Sequence, residues 1–211
     1  VTESPADPLP SWNDTESRAE IIAFVEAVTD PASPDFVEPE DRIATYDNDG
    51  TLWAEQPAYF QLYFGMDMVS HLMPQHPEWA NDPVMQAAAK RDVAGAMAGG
   101  MESLAKIIFV SHGDMTTSEF QNYATNWLDT ARHPVTGMKF TEMIYRPMLE
   151  VLRYMEANGF KNFIVSGGGI EFLRMFAPEV YGIPTERIVG SSLELEFQAE
   201  GRNAKIMRMP A

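Results

Sequence analysis

Cysteine is missing from this 211-residue chain, and basic residues are scarce in it. The lack of cysteine excludes disulfide bonds and thiolate metal sites. Lysine and arginine number 15 against 31 acidic residues, a net charge of -16, so the bulk surface does not suit a polyanion and we expect no nucleic-acid partner. No apolar run approaches the roughly 20 residues of a membrane-spanning helix, so we expect no membrane span.

The composition is that of an ordinary globular protein, with 45% hydrophobic and 22% charged residues. The length suits one domain, or a core with an inserted subdomain. The chain begins at Val1 with a polar, proline-rich stretch, and we predict a flexible leader over residues 1–12. This beginning fits a truncated sequence or an exported protein whose signal peptide was removed, and we favour a periplasmic or secreted location. Nothing in the sequence indicates the oligomeric state.

The first regular elements lead up to a pair of carboxylates. Apolar residues recur at helical spacing over 15–28, with Asn13 or Asp14 as candidate N-caps. A turn-rich linker over 29–41 follows. A short strand over 42–46 then runs directly into the sequence "DNDGT".

The segment over 57–140 is rich in alanine, methionine and glutamine and contains little that is typical of strands. Its helical patterns lie near residues 59–73, 83–98, 101–109 and 117–131. The stretch "SHGDMTTSEF" joins the last two helices. In it we expect Thr116 or Thr117 at an N-cap with Glu119 in the first turn, and His112 as a solvated loop histidine or, alternatively, a substrate contact.

An alternation of helices and strands follows this helical segment. The sequence predicts a helix over 146–159, a buried strand over 163–165, a helix over 170–182, a strand over 186–192 and a half-exposed strand or hairpin arm over 193–198. Alternation in this order predicts an α/β fold with a parallel sheet and right-handed crossovers.

Reactive side chains follow two of these strands. Asp47 and Asp49 come after the first strand, and Ser166 with the glycines at 167–169 comes after the second. Ligands bind at the carboxyl ends of strands in open parallel sheets. One carboxylate can act as a nucleophile and the second as an acid and base. A divalent cation would neutralise the pair, and the serine hydroxyl and following N–H groups would hold phosphoryl oxygens.

These short motifs also have simpler interpretations. A lone "DxDG" is common in turns and in calcium loops, and a run of glycines is usually a tight turn. A calcium loop needs further acidic ligands after the glycine, and Leu52 and Trp53 stand there instead. The order strand, DxDGT, helical segment, helix, strand, SGGG and helix favours a catalytic site.

In that combination the sequence resembles the haloacid dehalogenase superfamily, and within it the phosphoserine-phosphatase-like members. "DNDGTLW" and "FIVSGGGIEFLRMF" resemble the first two motifs of that family, over about residues 42–197. The resemblance implies that Asp47 is the phosphoryl-accepting nucleophile and Asp49 the general acid and base. It also implies that both hold Mg²⁺, Asp49 through its backbone carbonyl.

The resemblance further implies that phosphate is contacted by Thr51, Ser166, Gly167 and Gly168. It implies an acid facing the substrate near Glu55 or Gln56 as well. The presence of Asp49 favours phosphate-ester hydrolysis over the dehalogenation for which the family is named. A departing alkoxide needs a proton from such an acid, and a departing halide does not.

Two parts of the family pattern are not found before Ala211. One is a lysine that offsets the charge of nucleophile and phosphate, since Lys161 precedes its strand and Lys205 lies outside a strand-end context. The other is an acidic loop that completes the magnesium shell. The 211 residues are therefore a fragment, have the missing part on a separate chain, or are a degenerate homologue. We favour a fragment, and we expect these residues alone to bind Mg²⁺ poorly and to turn over little phosphate ester.

The resulting prediction is a Rossmann-like α/β core with a helical cap inserted after the first strand. Its divisions are a leader and helix over 1–36, a core over 37–56 and 141–211, and a cap over 57–140. The predicted function is Mg²⁺-dependent hydrolysis of a small phosphorylated metabolite, a phosphate monoester, through a phospho-aspartate. The alternatives are a phosphotransferase, a catalytically dead homologue that binds a phosphate ligand, and an exported domain with a fortuitous motif.

Overall fold

The computed structural model describes residues 7–200 and 203–209 of the chain. The α-helices are α1 Glu16–Thr29, α2 Phe60–Leu72, α3 Pro83–Ala89, α4 Val93–Ala96, α5 Met101–His112, α6 Thr117–Thr130, α7 Arg146–Ala157, α8 Ile170–Arg174 and α9 Ala177–Tyr181. The strands are β1 Ile43–Tyr46, β2 Met115–Thr116, β3 Lys161–Gly169, β4 Ile188–Ser191, β5 Leu195–Glu200 and β6 Asn203–Arg208. No helix in this part of the chain is both long and apolar enough to cross a membrane.

A three-stranded parallel sheet in the order β1-β3-β4 carries the motifs. Tyr46 is in register with Ile164, and Ile164 is in register with Ile188. The two isoleucines are buried in the core, which is the environment that parallel strands require. The parallel α/β arrangement predicted from the sequence is thereby confirmed, and it is compatible with a Rossmann-like fold.

A second sheet joins the end of the described chain to the helical segment. The antiparallel hairpin of β5 and β6 confirms the predicted hairpin arm. Strand β6 also pairs with the two-residue strand β2, where Met115 faces Arg208. Periodicity did not predict this pairing, because alternation identifies a strand without identifying its partner.

The leader prediction is wrong for residues 7–12, and residues 1–6 lie outside the described residues. Leu9 is completely buried. The indole Nε1 of Trp12 donates to the carbonyl of Pro147 at 2.9 Å, and the amide of Ser11 donates to the Glu150 carboxylate at 2.9 Å. These two hydrogen bonds hold the segment against α7.

Helix α1 is capped by a residue other than the two predicted. The Thr15 hydroxyl accepts the N–H of Arg18, so the N-cap lies one residue after Asp14 and the helix starts at Glu16. A threonine serves this role through the same side-chain geometry as an aspartate or asparagine.

Two helices predicted as continuous are interrupted. The pattern over 83–98 divides into α3 and α4, because Arg91 adopts a left-handed φ of 54° and Asp92 caps α4 by accepting the N–H of Gly95. The pattern over 170–182 divides into α8 and α9 at Met175 and Phe176. Apolar spacing alone did not reveal these short breaks.

The capping prediction at α6 is confirmed. The Thr116 hydroxyl accepts the N–H of Glu119, and the Glu119 carboxylate accepts the N–H of Thr116. This reciprocal capping box ends the connection from α5 and aligns β2 with the start of α6.

The helices between β1 and β3 share one hydrophobic core with the parallel sheet. Phe64 and Phe120 of the helical segment belong to the same buried cluster as Ile164 and Ile188 of the sheet. The division of the chain into core and cap stays a prediction. Continuity of this core implies that the two segments support each other's stability.

Candidate active site

The turn after β1 is held by a buried asparagine between the two aspartates. The carbonyl of Asn48 accepts the N–H groups of Thr51, Leu52 and Trp53 at 2.8–3.3 Å. Its side-chain oxygen accepts the hydroxyl of Tyr181 at 3.1 Å. This anchoring curls the chain so that the carboxylates on either side of Asn48 serve one site.

Asp49 lies in an environment that favours its protonated form. Its Oδ1 accepts the indole N–H of Trp53 at 2.7 Å. Burial raises the pKa of Asp49 and the carboxylates of Asp47 and Glu55 raise it further, while the Trp53 hydrogen bond opposes the rise. A carboxyl group in such surroundings retains its proton to higher pH and can act as an acid.

Gly50 permits the turn to close beneath Glu55. Its φ is +70°, and an added Cβ would lie 2.8 Å from the Glu55 carboxyl carbon. A side chain at position 50 would therefore be strained by its backbone and by this contact.

The glycine run at the end of β3 orients the serine hydroxyl, and β3 includes Ser166 and all three glycines, so it is longer than the predicted strand over 163–165. The N–H of Gly168 donates to Ser166 Oγ at 3.1 Å. Because the serine oxygen accepts this bond, its own O–H remains able to donate outward. The Ser191 hydroxyl of β4 donates to the Gly167 carbonyl at 3.0 Å, which fixes the run against the neighbouring strand.

A cavity of about 510 Å³ brings most of the predicted residues together. Those that line it are Asp47, Asp49, Ser166, Gly167 and Gly168. Thr51 does not line it; its N–H is bonded to the Asn48 carbonyl at 3.1 Å. Glu55 lines the cavity as well, and Gln56 does not.

A chain of hydrogen bonds behind the glycine run was missed in the sequence. Gln61 Oε1 accepts the N–H of Gly169 at 2.8 Å, so its amide nitrogen faces His112 Nε2 at 2.9 Å. The histidine must then accept there and donate from Nδ1 to Ser111 Oγ at 2.7 Å, while the serine donates to the Ile107 carbonyl at 2.6 Å. Every donor has an acceptor, and this arrangement requires a neutral imidazole.

His112 is thus neither a loop residue nor solvated, and that expectation is wrong. It is the last residue of α5 and is only 2% exposed. Burial and the neighbouring Arg208 guanidinium lower the pKa of His112 to about 3. A sequence pattern gives no signal for this role, because the partner Gln61 lies on a different helix.

Arg208 reaches the same cavity from the hairpin. It is 2% exposed, its Nε donates to the His112 carbonyl at 2.7 Å, and its guanidinium lies 4.0 Å above the Phe120 ring. Its Nη1 forms an ion pair with Glu171 at 3.4 Å. Burial lowers the pKa of Arg208, and the Glu171 carboxylate opposes that effect.

Lys205, the late lysine considered above, lies in β6 and does not line the cavity.

The Gly190→Ala substitution should destabilise the site through β4. An added Cβ would lie 2.7 Å from the Gly168 carbonyl oxygen and 3.0 Å from the Ile170 backbone. We expect about 1–3 kcal/mol lower unfolding free energy, because backbone atoms must move. Gly167→Ala is the matched control, since nothing lies within 4 Å of its added Cβ. Urea unfolding of both variants measures this, and equal stability would contradict it.

The donor set suits a hard cation better than a soft one. Asp47, Asp49 and Glu55 offer only oxygen ligands, and the carboxylates of Asp47 and Glu55 raise the pKa of Asp49. Across residues 7–200 and 203–209, no three histidine or acidic side chains are grouped to hold a metal ion. Carboxylate oxygens are nevertheless the ligands that Mg²⁺ takes, and in proteins it is often held by only one or two carboxylates together with substrate phosphate and water.

Comparisons with known proteins show resemblance only in structure. No protein-family model matches the sequence, and no curated protein matches it. A conserved functionally unknown protein from Anaerococcus prevotii DSM 20548 superposes with a TM-score of 0.51 at 12% identity, covering 92% of this chain and 71% of that one. This likeness supports the mixed α/β fold described above.

A phosphoserine phosphohydrolase-like protein from Francisella tularensis subsp. tularensis SCHU S4 superposes with a TM-score of 0.38 at 17% identity. The alignment covers 76% of this chain and 61% of that one.

Proposed function

We propose that this chain is a phosphatase that hydrolyses a phosphate monoester through a phospho-aspartate on Asp47. One observation carries the proposal: Asp47, Asp49 and Ser166 line a single cavity at the carboxyl ends of β1 and β3. A nucleophile, an acid and a phosphate-binding hydroxyl are the groups this reaction needs.

The chemistry proceeds in two balanced steps. An Asp47 oxygen attacks phosphorus, the bond between phosphorus and the alcohol oxygen breaks, and Asp49 gives its proton to the departing alkoxide. Asp49, now a carboxylate, takes a proton from water as the water oxygen attacks phosphorus and releases Asp47. The elevated pKa of Asp49 supports the first role, and its proximity to Asp47 supports the second.

Ser166 holds the phosphoryl group in this proposal. Its O–H donates to a phosphoryl oxygen while the Gly168 N–H fixes the direction of the hydroxyl. Mg²⁺, held by the Asp47 carboxylate and the Asp49 backbone carbonyl, would offset the negative charge of phosphate beside two acids.

Phosphate release under single-turnover conditions tests the proposal. With the protein in excess over 4-nitrophenyl phosphate, even slow hydrolysis is measurable, and we expect release with MgCl₂ that is lost with EDTA. Asp47→Asn should lose this phosphate release. Asp129→Asn is its matched control and should keep it, because Asp129 is exposed on α6, outside the cavity. Phosphate binding without release would favour the dead homologue, and transfer to an added alcohol would favour the phosphotransferase.

A further inference from the structure

We propose that the alcohol released from the ester is apolar and carries no negative charge. This inference rests on the proposed phosphatase function and concerns the part of the cavity away from Asp47. The observations that carry it are an apolar wall and the excess of acidic over basic side chains among the described residues that line the cavity.

Helix α5 presents an apolar stripe to the cavity. Met101, Leu104 and Ile108 follow one another at intervals of three and four residues, so they share one face of the helix. Leu62 of α2 and Leu193 after β4 complete this wall. An apolar group placed here is removed from water against aliphatic side chains, which is favourable in proportion to its area.

The charges lining the cavity disfavour a second anionic group on the substrate. The acidic side chains there are Asp47, Asp49, Glu55 and Glu171. Arg208 is the single cation among the described residues that line the cavity. Its Nε is bonded to a carbonyl and its face lies on Phe120, while Nη1 forms an ion pair with Glu171 at 3.4 Å and has no hydrogen-bond partner in the described part of the chain. One arginine against four acidic side chains leaves the lining with a net negative charge, which disfavours a carboxylate on the alcohol.

A series of phosphonates measures the preference without requiring turnover. Methyl-, butyl- and hexylphosphonate are titrated into the protein with MgCl₂ by calorimetry. Each added methylene should tighten binding up to about fourfold, the effect of burying one such group. A 5-carboxypentylphosphonate of similar length should bind at least tenfold more weakly than hexylphosphonate.

Variants of α5 test whether this helix causes the increase in affinity with alkyl chain length. Ile108→Asn should abolish most of the gain in affinity with chain length, so that hexylphosphonate binds little more tightly than methylphosphonate. Val110→Asn is the matched control, because Val110 is a partly buried aliphatic residue of the same helix that lines a different cavity beside Leu72 and Trp79. Should Ile108→Asn fail to fold by circular dichroism, Leu104→Gln tests the same wall.

The outcomes separate this inference from the function on which it rests. Equal affinity for methyl- and hexylphosphonate, or tightest binding by the carboxylated compound, would overturn the apolar assignment and leave the phosphatase proposal standing. If none of the phosphonates binds, the apolar assignment and the phosphatase proposal are both wrong.

Discussion

Asp47→Asn should abolish ester cleavage, lowering the single-turnover rate at least about a thousandfold, as expected when a covalent nucleophile is removed. The asparagine oxygen can still accept the Asn48 N–H, which Asp47 Oδ1 accepts at 2.7 Å, so the turn should keep its shape. The loss is therefore chemical rather than structural.

Two measurements check the Asp47 prediction. Rapid acid quench with a radiolabelled ester should detect phosphorylated protein in the wild type and none in the variant. Beryllofluoride with MgCl₂ should raise the thermal midpoint of the wild type alone. Label retained by Asp47→Asn would place the nucleophile elsewhere.

Asp49→Asn should produce a defect that depends on the leaving group. Loss of a general acid typically costs 10²–10⁴-fold, but only where the departing oxygen needs a proton. An alkyl phosphate should suffer this full loss, whereas 4-nitrophenol should still leave in a burst, with later phosphate release slowed for lack of a base. A uniform loss on both esters would argue against Asp49 as the acid.

The free energy of unfolding should fall as the pH drops from about 6.5 toward 3 because of His112. Its pKa is about 3 in the folded chain and about 6.5 when unfolded. Below pH 6.5 the unfolded chain binds a proton that the folded chain does not, so this stabilisation is complete above pH 6.5 and is lost as the pH falls toward 3. At about 1.4 kcal/mol per pH unit, the loss is about 2 kcal/mol at pH 5 and at most about 5 kcal/mol near pH 3.

Urea unfolding of wild type and His112→Gln at several pH values isolates this effect. The glutamine does not titrate and retains polar atoms toward Gln61, so its stability should change less between pH 7.5 and 5. Asp49 changes the free energy of unfolding with the opposite sign, because its raised pKa lowers stability as the pH rises above its unfolded pKa. Asp49 is present in both proteins, so its effect cancels when their pH curves are compared. Parallel pH curves would contradict the assignment to His112.

Short sequence patterns predicted those parts of the fold that depend only on a few neighbouring residues. The capping box at Thr116, the strand before Asp47 and the glycine run after Ser166 are each encoded within a few residues. The cavity could be anticipated because parallel strands place their carboxyl ends on one edge.

The buried polar residues could not be predicted in this way. Arginine is usually exposed and histidine is intermediate in burial, and here Arg208 and His112 are both buried, each with a hydrogen-bond partner distant in sequence. The same holds for the segment over 7–12, where a polar composition concealed Leu9 and Trp12. Composition reports an average, whereas burial depends on individual contacts.

The pairing of β6 with β2 has a consequence during synthesis. The contact between Arg208 and His112 spans 96 residues, and ribosomes add about 5–20 residues per second. The nascent helices therefore wait roughly 5–20 s for the strand that covers the end of α5. Over that interval the edge of β2 and the His112 carbonyl are open to solvent or to a chaperone, and the cavity acquires Arg208 only when β6 has been made.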